Sequence, residues 1–548
     1  MRYFLIGCCA FLFLGNLQAQ KKSRAASQAS PKLVVGMMVD QMRWDFLYRY
    51  RHRFSEKGGL QRILKQGFLN EQTMIPYAPT VTACGHASVY TGTVPALHGI
   101  VGNNWWSREF TRAVYCTEDR SYQTVGSSTA AGEMSPKNMF ANTICDELKL
   151  ATQFRSKVIG IAIKDRGAIL PAGHAADAAY WYDPKSGNWV SSTYYQNTLP
   201  GWVQNFNAQK HPDKFYQRGW QTLFPSDSYH QSDSDENDYE STPFGQDQKN
   251  FPYNLSGFAG KNYGVISQTP YGNTMTFMMA QQAIENEAMG QDSIPDFLAV
   301  SFSSTDYIGH AFGPNSIETE DTYLRLDREL GEFLDFLDQK VGKNQYLFFL
   351  TADHGVAHVP GFLEKHKMPA GAINDEGMIK ELNELIQKQF GLSGLIVSAL
   401  NYQLTLNHSI LDSSAVDQKA LFRFIQEYVQ KQPGIDRVFP LENMSKELLP
   451  GLVRERIING YHPGRSGDLQ VLFLPNWIDG GKKGTTHGLW NPYDSHIPLI
   501  WYGWNILKGR SSAPVSMSDI APTIAALLHI QMPNACIGKP ILSVLAEE

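Results

Sequence analysis

The chain has 548 residues, 43% hydrophobic and 18% charged, which is enough apolar material for a large core and no compositional sign of wholesale disorder. Length alone leaves open one large α/β domain with insertions or two to four smaller domains. The formal net charge of −5 becomes −6 if residues 1–20, whose only charge is Arg2, are removed, and this balance argues against a general nucleic-acid binder.

Residues 1–20 place Arg2 before an apolar stretch from Tyr3 to Leu14 and then Leu17-Gln18-Ala19, the layout of a secretory signal cleaved near Ala19 or Gln20. The stretch is short for a bilayer span, and little apolar sequence precedes Cys8 and Cys9 for a lipoprotein signal. A periplasmic or secreted protein without integral membrane association is expected, its mature part being residues 21–548. That part keeps Cys84, Cys116, Cys145 and Cys536, too few for a disulfide scaffold at this size, although export permits their oxidation.

Residues 32–39 (KLVVGMMV) form a continuous apolar run ending at Asp40, the pattern of a strand buried on both faces of a parallel sheet. Residues 79–86 (PTVTACGH) lead into a short helix. A hydroxyl at a helix N-terminus, here Thr82, is a candidate nucleophile, with a simple helix cap as the alternative. His86 and His98 have no equally clear task and read as structural. A second strand, residues 157–163 (KVIGIAI), continues into Lys164-Asp165-Arg166. Strand alternation would send Lys164 and Arg166 to one side, where two cations suit a dianionic phosphate monoester; a solvated strand end is the alternative.

Residues 175–270 are rich in Tyr, Trp, Asn, Ser, Asp and Pro without clear periodicity, and 227–240 reads as an exposed loop. Residues 273–287 and 318–337 have the apolar spacing of amphipathic crossover helices. Further buried strands are expected at 297–302 (FLAVSF), 345–350 (QYLFFL) and 497–502 (IPLIWY), while 360–480 interrupts the pattern. The alternation predicts an α/β fold: a doubly wound, mostly parallel central sheet flanked by helices, with insertions at about 175–270 and 360–480 capping the site.

Three Asp/His clusters accompany these strands: Asp306 and His310 in TDYIGH, Asp353 and His354 in TADHG, and His487 in THG, joined by Asp40. Taken singly, each His is more often structural than a ligand. As a set placed at strand ends, where doubly wound sheets collect ligands, they predict a metal centre, with zinc suited to carboxylate and imidazole. A metal beside Thr82 would lower its hydroxyl pKa and so make a feeble nucleophile competent.

Together these residues resemble the alkaline phosphatase superfamily, in its nucleotide pyrophosphatase/phosphodiesterase-like branch. The segment PTVTACGHASVYTGTVPALHGIVGNN follows that branch's nucleophile pattern, and DIAPTIAALL resembles the superfamily's closing helix. The resemblance implies two Zn2+ ions, one on Asp306, His310 and His487 and one on Asp40, Asp353 and His354 with Thr82 bound beside them. It makes Thr82 the catalytic nucleophile and Asn103 a phosphate contact. The Lys164-x-Arg166 pair is similar to that of the phosphate-irrepressible bacterial alkaline phosphatases, in which the two cations bind the monoester phosphate.

The expected activity is therefore an exported, two-zinc phosphomonoesterase acting through a phospho-threonine intermediate, a broad-specificity monomer scavenging phosphate from small-molecule phosphate monoesters. A phosphodiesterase or nucleotide pyrophosphatase with the same metals is the alternative. A sulfatase is disfavoured because no Cys-x-Pro-x-Arg segment is found and Thr holds the nucleophile position. A glycan-binding protein, suggested by 11 Trp and 25 Tyr, leaves the ordered Asp/His clusters unexplained.

Overall fold

All seven residues of the first strand, β1 (Leu33–Val39), are buried: parallel neighbours flank it on both edges, and the layers packed on the sheet cover both of its faces. A computed structural model describes residues 30–545 and joins to β1 in one sheet β2 (Phe68–Met74), β3 (Val158–Ala162), β4 (Ala178–Asp183), β5 (Asn188–Ser192), β6 (Asp296–Phe302), β7 (Tyr346–Thr351) and β8 (His496–Gly503). Residues 1–20, with Cys8 and Cys9, lie outside the described residues. The order across the sheet is β2-β8-β7-β1-β6-β3-β4-β5, extended by short edge strands beside β2 and β5.

The five strands β7, β1, β6, β3 and β4 run parallel. Strand β8, which the apolar run 497–502 announces, is antiparallel to both β7 and β2. The sheet is therefore mixed but mostly parallel. Buried strands carry no polar face, so their sequences read as unbroken apolar runs whichever way they point.

The principal helices are α1 (Thr82–Thr91), α2 (Asp165–Ala172), α3 (Tyr271–Asn286), α4 (Ser304–Phe312), α5 (Ile317–Leu337) and α6 (Ile520–Leu528). Helix α3 packs on β6 and α5 packs on α3. The Ser316 side chain accepts from the Thr319 N–H at the start of α5, with Glu318 and Glu320 in the first turn, a cap that contributes about 1 kcal/mol. Among the described residues no helix is long and apolar enough to cross a membrane, and Cys84, Cys116, Cys145 and Cys536 are all unpaired.

The stretch 175–270 is not wholly separate from the sheet: β4 and β5 open it and extend the sheet beyond β3. Within 360–480, strands Ile396–Ser398, Gln403–Leu406, Ile435–Pro440 and Leu469–Phe473 make a second sheet with its own apolar cluster, including Leu382, Ile386, Leu404, Leu421, Ile425 and Leu469. Tyr402 of this unit donates to the carbonyl of His487 at 2.8 Å, and Asn401 donates to that of Asn104 at 2.8 Å.

Residues 227–240 form a loop, as their polarity suggests, but one that is only partly exposed. They fold against the start of α5, burying Tyr229, Asn237 and Glu240. The Tyr229 hydroxyl donates to Asp321 at 2.6 Å, and Ser232 donates to Glu320 at 2.8 Å. Burial and the charge of Glu318 push the Glu240 carboxyl up to about 10, and burial pushes Glu318 up to about 8.

An acid held protonated in the fold but free to ionise near 4.5 when unfolded stabilises the fold fully below pH 4.5, and that stability drains away as pH rises toward the folded value. Glu240→Gln keeps the neutral form at every pH. Its melting temperature is expected to match wild type at about pH 4 and to exceed it increasingly up to about pH 9, as read by thermal unfolding across that range. A constant difference at all pH values would refute this account.

Candidate metal centre and nucleophile

The parallel strands β7, β1, β6 and β3 are neighbours, so their carboxyl ends deliver side chains to one place. Asp353 and His354 follow β7, Asp40 follows β1, Asp306 lies in the first turn of α4 after β6, and Lys164 follows β3. His487 arrives from the loop before β8, and Thr82 opens α1. Gly85 lets α1 reach this position, since a Cβ there would collide with the backbone of Asp353.

Among the described residues, two groups of side chains have donor atoms close enough together to hold a metal ion: Asp306, His310 and His487, and Asp40, Asp306 and His354. The first is the expected ligand set. In the second, Asp306 stands where Asp353 was expected, with the Asp353 Oδ2 3.4 Å from His354 Nε2. The three imidazoles are oriented alike. His310 Nδ1 lies 2.8 Å from the Thr485 carbonyl, His487 Nδ1 2.7 Å from that of Thr80, and His354 Nδ1 2.9 Å from that of Gly355. A carbonyl can only accept, so each Nδ1 carries a proton and each Nε2 is the ring nitrogen left for the centre; at His310, against burial, the Asp306 carboxylate raises the pKa, so an ion there would displace an Nε2 proton.

The carboxylates present the complementary chemistry. Asp40 Oδ1 and Asp353 Oδ2 are buried without any hydrogen-bond partner, an arrangement that is costly for anionic oxygens and is relieved by a cation. Burial, then the charges of Asp306 and Asp353, hold the Asp40 carboxyl well above the usual range. Burial also opposes ionisation of Asp306, but His310 and Lys164 beside it hold it well below. Burial lowers His354 to about 3 and depresses His487 as well, which keeps both imidazoles neutral as ligands must be. The residues present fit divalent ions.

Thr82 is 1% exposed, and its Oγ1 stands 3.4 Å from both His354 Nε2 and Lys164 Nζ. It does not cap its helix: Val81 occupies the cap position, and Thr82 is the first helical residue. The alternative reading of the hydroxyl is thereby removed. Asn103 Oδ1 accepts from the Ala83 N–H at 2.9 Å, which fixes this amide beside the start of α1.

Lys164 and Arg166 reach the region by a different route from strand alternation. Strand β3 ends at Ala162, Lys164 takes the cap position of α2, and Arg166 lies in the first turn. Lys164 Nζ donates to Asp40 Oδ2 at 2.7 Å and to Asp306 Oδ2 at 2.5 Å, and two carboxylates so close raise its pKa against the pull of burial. Arg166 Nη1 donates to the Tyr115 hydroxyl at 2.9 Å, while its Nε is buried without a partner.

The sequence carried no signal for what holds Arg166. Tyr115 ends a hairpin formed by Asn104–Ser107 and Arg112–Tyr115, and its hydroxyl donates to Asp165 at 2.7 Å. Thr117 donates to the other oxygen of Asp165 at 2.6 Å. Nor does the sequence signal Tyr307, whose ring centre lies 5.2 Å from the Lys164 ammonium. Of the two histidines read as structural, His86 bridges the Thr82 carbonyl and Ser301, each at 2.8 Å, and its Nδ1 also lies 3.4 Å from Asp353 Oδ2, while His98 lies 3.0 Å from Ser88.

A family model described as type I phosphodiesterase / nucleotide pyrophosphatase matches residues 34–496. Alkaline phosphatase PhoV of Synechococcus elongatus is 47% identical, over 98% of this chain and 98% of its own. A protein of Myroides odoratus named calcium-transporting ATPase is 48% identical, again over 98% of each chain. The crystal structure of alkaline phosphatase PafA superposes with a TM-score of 0.92 at 45% identity, covering 95% of this chain and 100% of that one.

Proposed function

The chain belongs to the type I phosphodiesterase/nucleotide pyrophosphatase family, and within it we propose an exported alkaline phosphatase that uses two zinc ions and a phospho-threonine intermediate on small phosphate monoesters. The observation that carries this reading is that Lys164 Nζ and His354 Nε2 each lie 3.4 Å from Thr82 Oγ1, beside two candidate ion groups.

In this reading Asp306, His310 and His487 hold one ion, and Asp40, Asp353 and His354 hold the other. When bound there, the ions supply Lewis-acid stabilisation of the phosphoryl oxygens and make a neighbouring hydroxyl acidic. The Thr82 oxygen, freed of its proton, attacks phosphorus in line as the bond to the leaving oxygen breaks. The product is a phosphate ester on Thr82, which water then cleaves to release inorganic phosphate. Asn103, Lys164 and Arg166 grip the non-bridging oxygens, Arg166 as a planar fork held by Tyr115 and Lys164 as a point charge.

Broad specificity, a monomeric state and a phosphate-scavenging role in the periplasm or outside the cell complete the proposal. ATP belongs among the substrates to be tried, because the Myroides relative is named for its hydrolysis and the terminal phosphoryl group carries the same dianionic charge. The diesterase alternative keeps the same ions and the same nucleophile, and differs in what Lys164 and Arg166 do.

The deciding measurement is steady-state hydrolysis of p-nitrophenyl phosphate and of its methyl diester by one zinc-loaded preparation, with a chelator control. A monoester preference of several orders of magnitude, lost on chelation and restored by zinc, is expected. A diester preference would move the protein to the phosphodiesterase alternative. Turnover that survives metal removal would refute the metal centre.

A further inference from the structure

Gln41 follows Asp40 directly, is 2% exposed, and has φ 66°, a left-handed conformation that a side chain with a Cβ enters only against strain. Its hydrogen bonds account for that conformation. The backbone N–H donates to Asp353 Oδ1 at 3.1 Å, and the side-chain Nε2 donates to Asp306 Oδ1 at 2.8 Å. The turn after β1 thus lets one residue reach carboxylates from both expected ion sites.

The oxygen that Gln41 grips is the one that matters for coordination. Asp306 Oδ1 lies 3.2 Å from His310 Nε2 and 3.5 Å from His487 Nε2, so it faces both imidazoles. A carboxylate oxygen has two lone pairs, and an amide donor that takes one sets the direction of the other. Helix α4 is shaped around this amide: Gly309 lies three residues after Asp306, and a Cβ at Gly309 would collide with Gln41 Oε1. A glycine in mid-helix is otherwise unfavourable, so the close approach of the Gln41 amide gives it a reason.

We propose that Gln41 is a positioning residue: its side-chain amide orients Asp306 for the ion shared with His310 and His487, while its backbone N–H anchors Asp353, and together these contacts set the two ion sites relative to each other. The inference rests on the two-ion reading given above. Partners of metal ligands in this role change ion affinity by about 10–100-fold when they are lost.

The test is zinc titration of the metal-free full chain against a chromophoric chelator, for wild type, Gln41→Met and Gly309→Ala, with melting temperatures of the metal-free forms. Met keeps the length of Gln and its backbone demand but has no N–H to donate. Gly309→Ala leaves Gln41 in place and displaces its amide. Wild type is expected to bind two ions tightly. Both variants are expected to keep one tight site and to weaken the other by about 10–100-fold, with metal-free Gln41→Met still unfolding in a single cooperative transition.

Wild-type affinity at both sites in Gln41→Met would overturn the proposal, as would equal weakening of both. If Gly309→Ala fails to fold, Gln41→Met alone decides. A wild-type chain that takes up a single ion would instead overturn the two-ion reading, so the two failures are distinguishable.

Discussion

Thr82→Ala is expected to lower phosphomonoester turnover by at least about 10^4-fold while leaving the ion content of the protein at the wild-type level. The expectation separates two roles that the geometry superposes. Thr82 Oγ1 lies 3.4 Å from His354 Nε2 and so stands beside the proposed ion site, but in the two-ion reading six other side chains supply the ligands. Losing the hydroxyl removes the attacking atom and leaves the carboxylates and imidazoles intact. Thr82→Ser, which keeps an oxygen at the same place with one methyl fewer, should retain most of the rate. Acid quenching of wild type during turnover should trap phosphate on Thr82, and neither variant lacking the hydroxyl nor a metal-free preparation should show it. If Thr82→Ala kept more than about a hundredth of the activity, water rather than this residue would be the nucleophile.

Thr82 was legible as a candidate nucleophile because its neighbours were. A strand buried in a parallel sheet must be apolar throughout, so β1, β3, β6 and β7 announce themselves, and the first ionisable residue after each marks the edge where the sheet collects ligands. Asp40, Asp306, Asp353 and His354 all follow from that rule. The rule says nothing about strand direction, which is why β8 could be found without its antiparallel sense. Strand β2, FLNEQTM, escaped notice because its polar residues interrupt the apolar run. Strands β4 and β5 were absorbed into an expected insertion because aromatic residues, Asn and Asp blur the pattern.

The support for the site was less legible still, since it depends on partners far apart in the chain. Tyr115 meets Arg166 only because a hairpin folds back, and Gln41 meets Asp306 across 265 positions. The burial of 227–240 has the same origin. Its polar residues pair with Glu320 and Asp321 of α5, and no local composition rule anticipates a partner about 90 residues away.

The second large effect is expected from Lys164 and Arg166 together. Replacing both with Ala should lower kcat/KM for a phosphate monoester by about 10^3-fold or more and leave the diester rate within about tenfold of wild type. The asymmetry follows from charge. A monoester dianion presents two negative charges on its non-bridging oxygens, whereas a diester presents one and carries a second ester group that these cations would not bind.

The two residues contribute differently. Arg166 is held by Tyr115, with Asp165 fixed behind that hydroxyl, so its fork is set before substrate arrives and its loss removes directed hydrogen bonds. Lys164 stands between Asp40 and Asp306, and its ammonium balances a centre that holds three buried carboxylates. Its removal should therefore strengthen ion binding as it weakens phosphate binding, and chelator competition on Lys164→Ala would detect this as slower loss of zinc. Tyr115→Phe should mimic a milder Arg166→Ala without that change. Equal losses on monoester and diester in the double variant would show that the cations serve the ions alone, and the chain would then be better read as a diesterase.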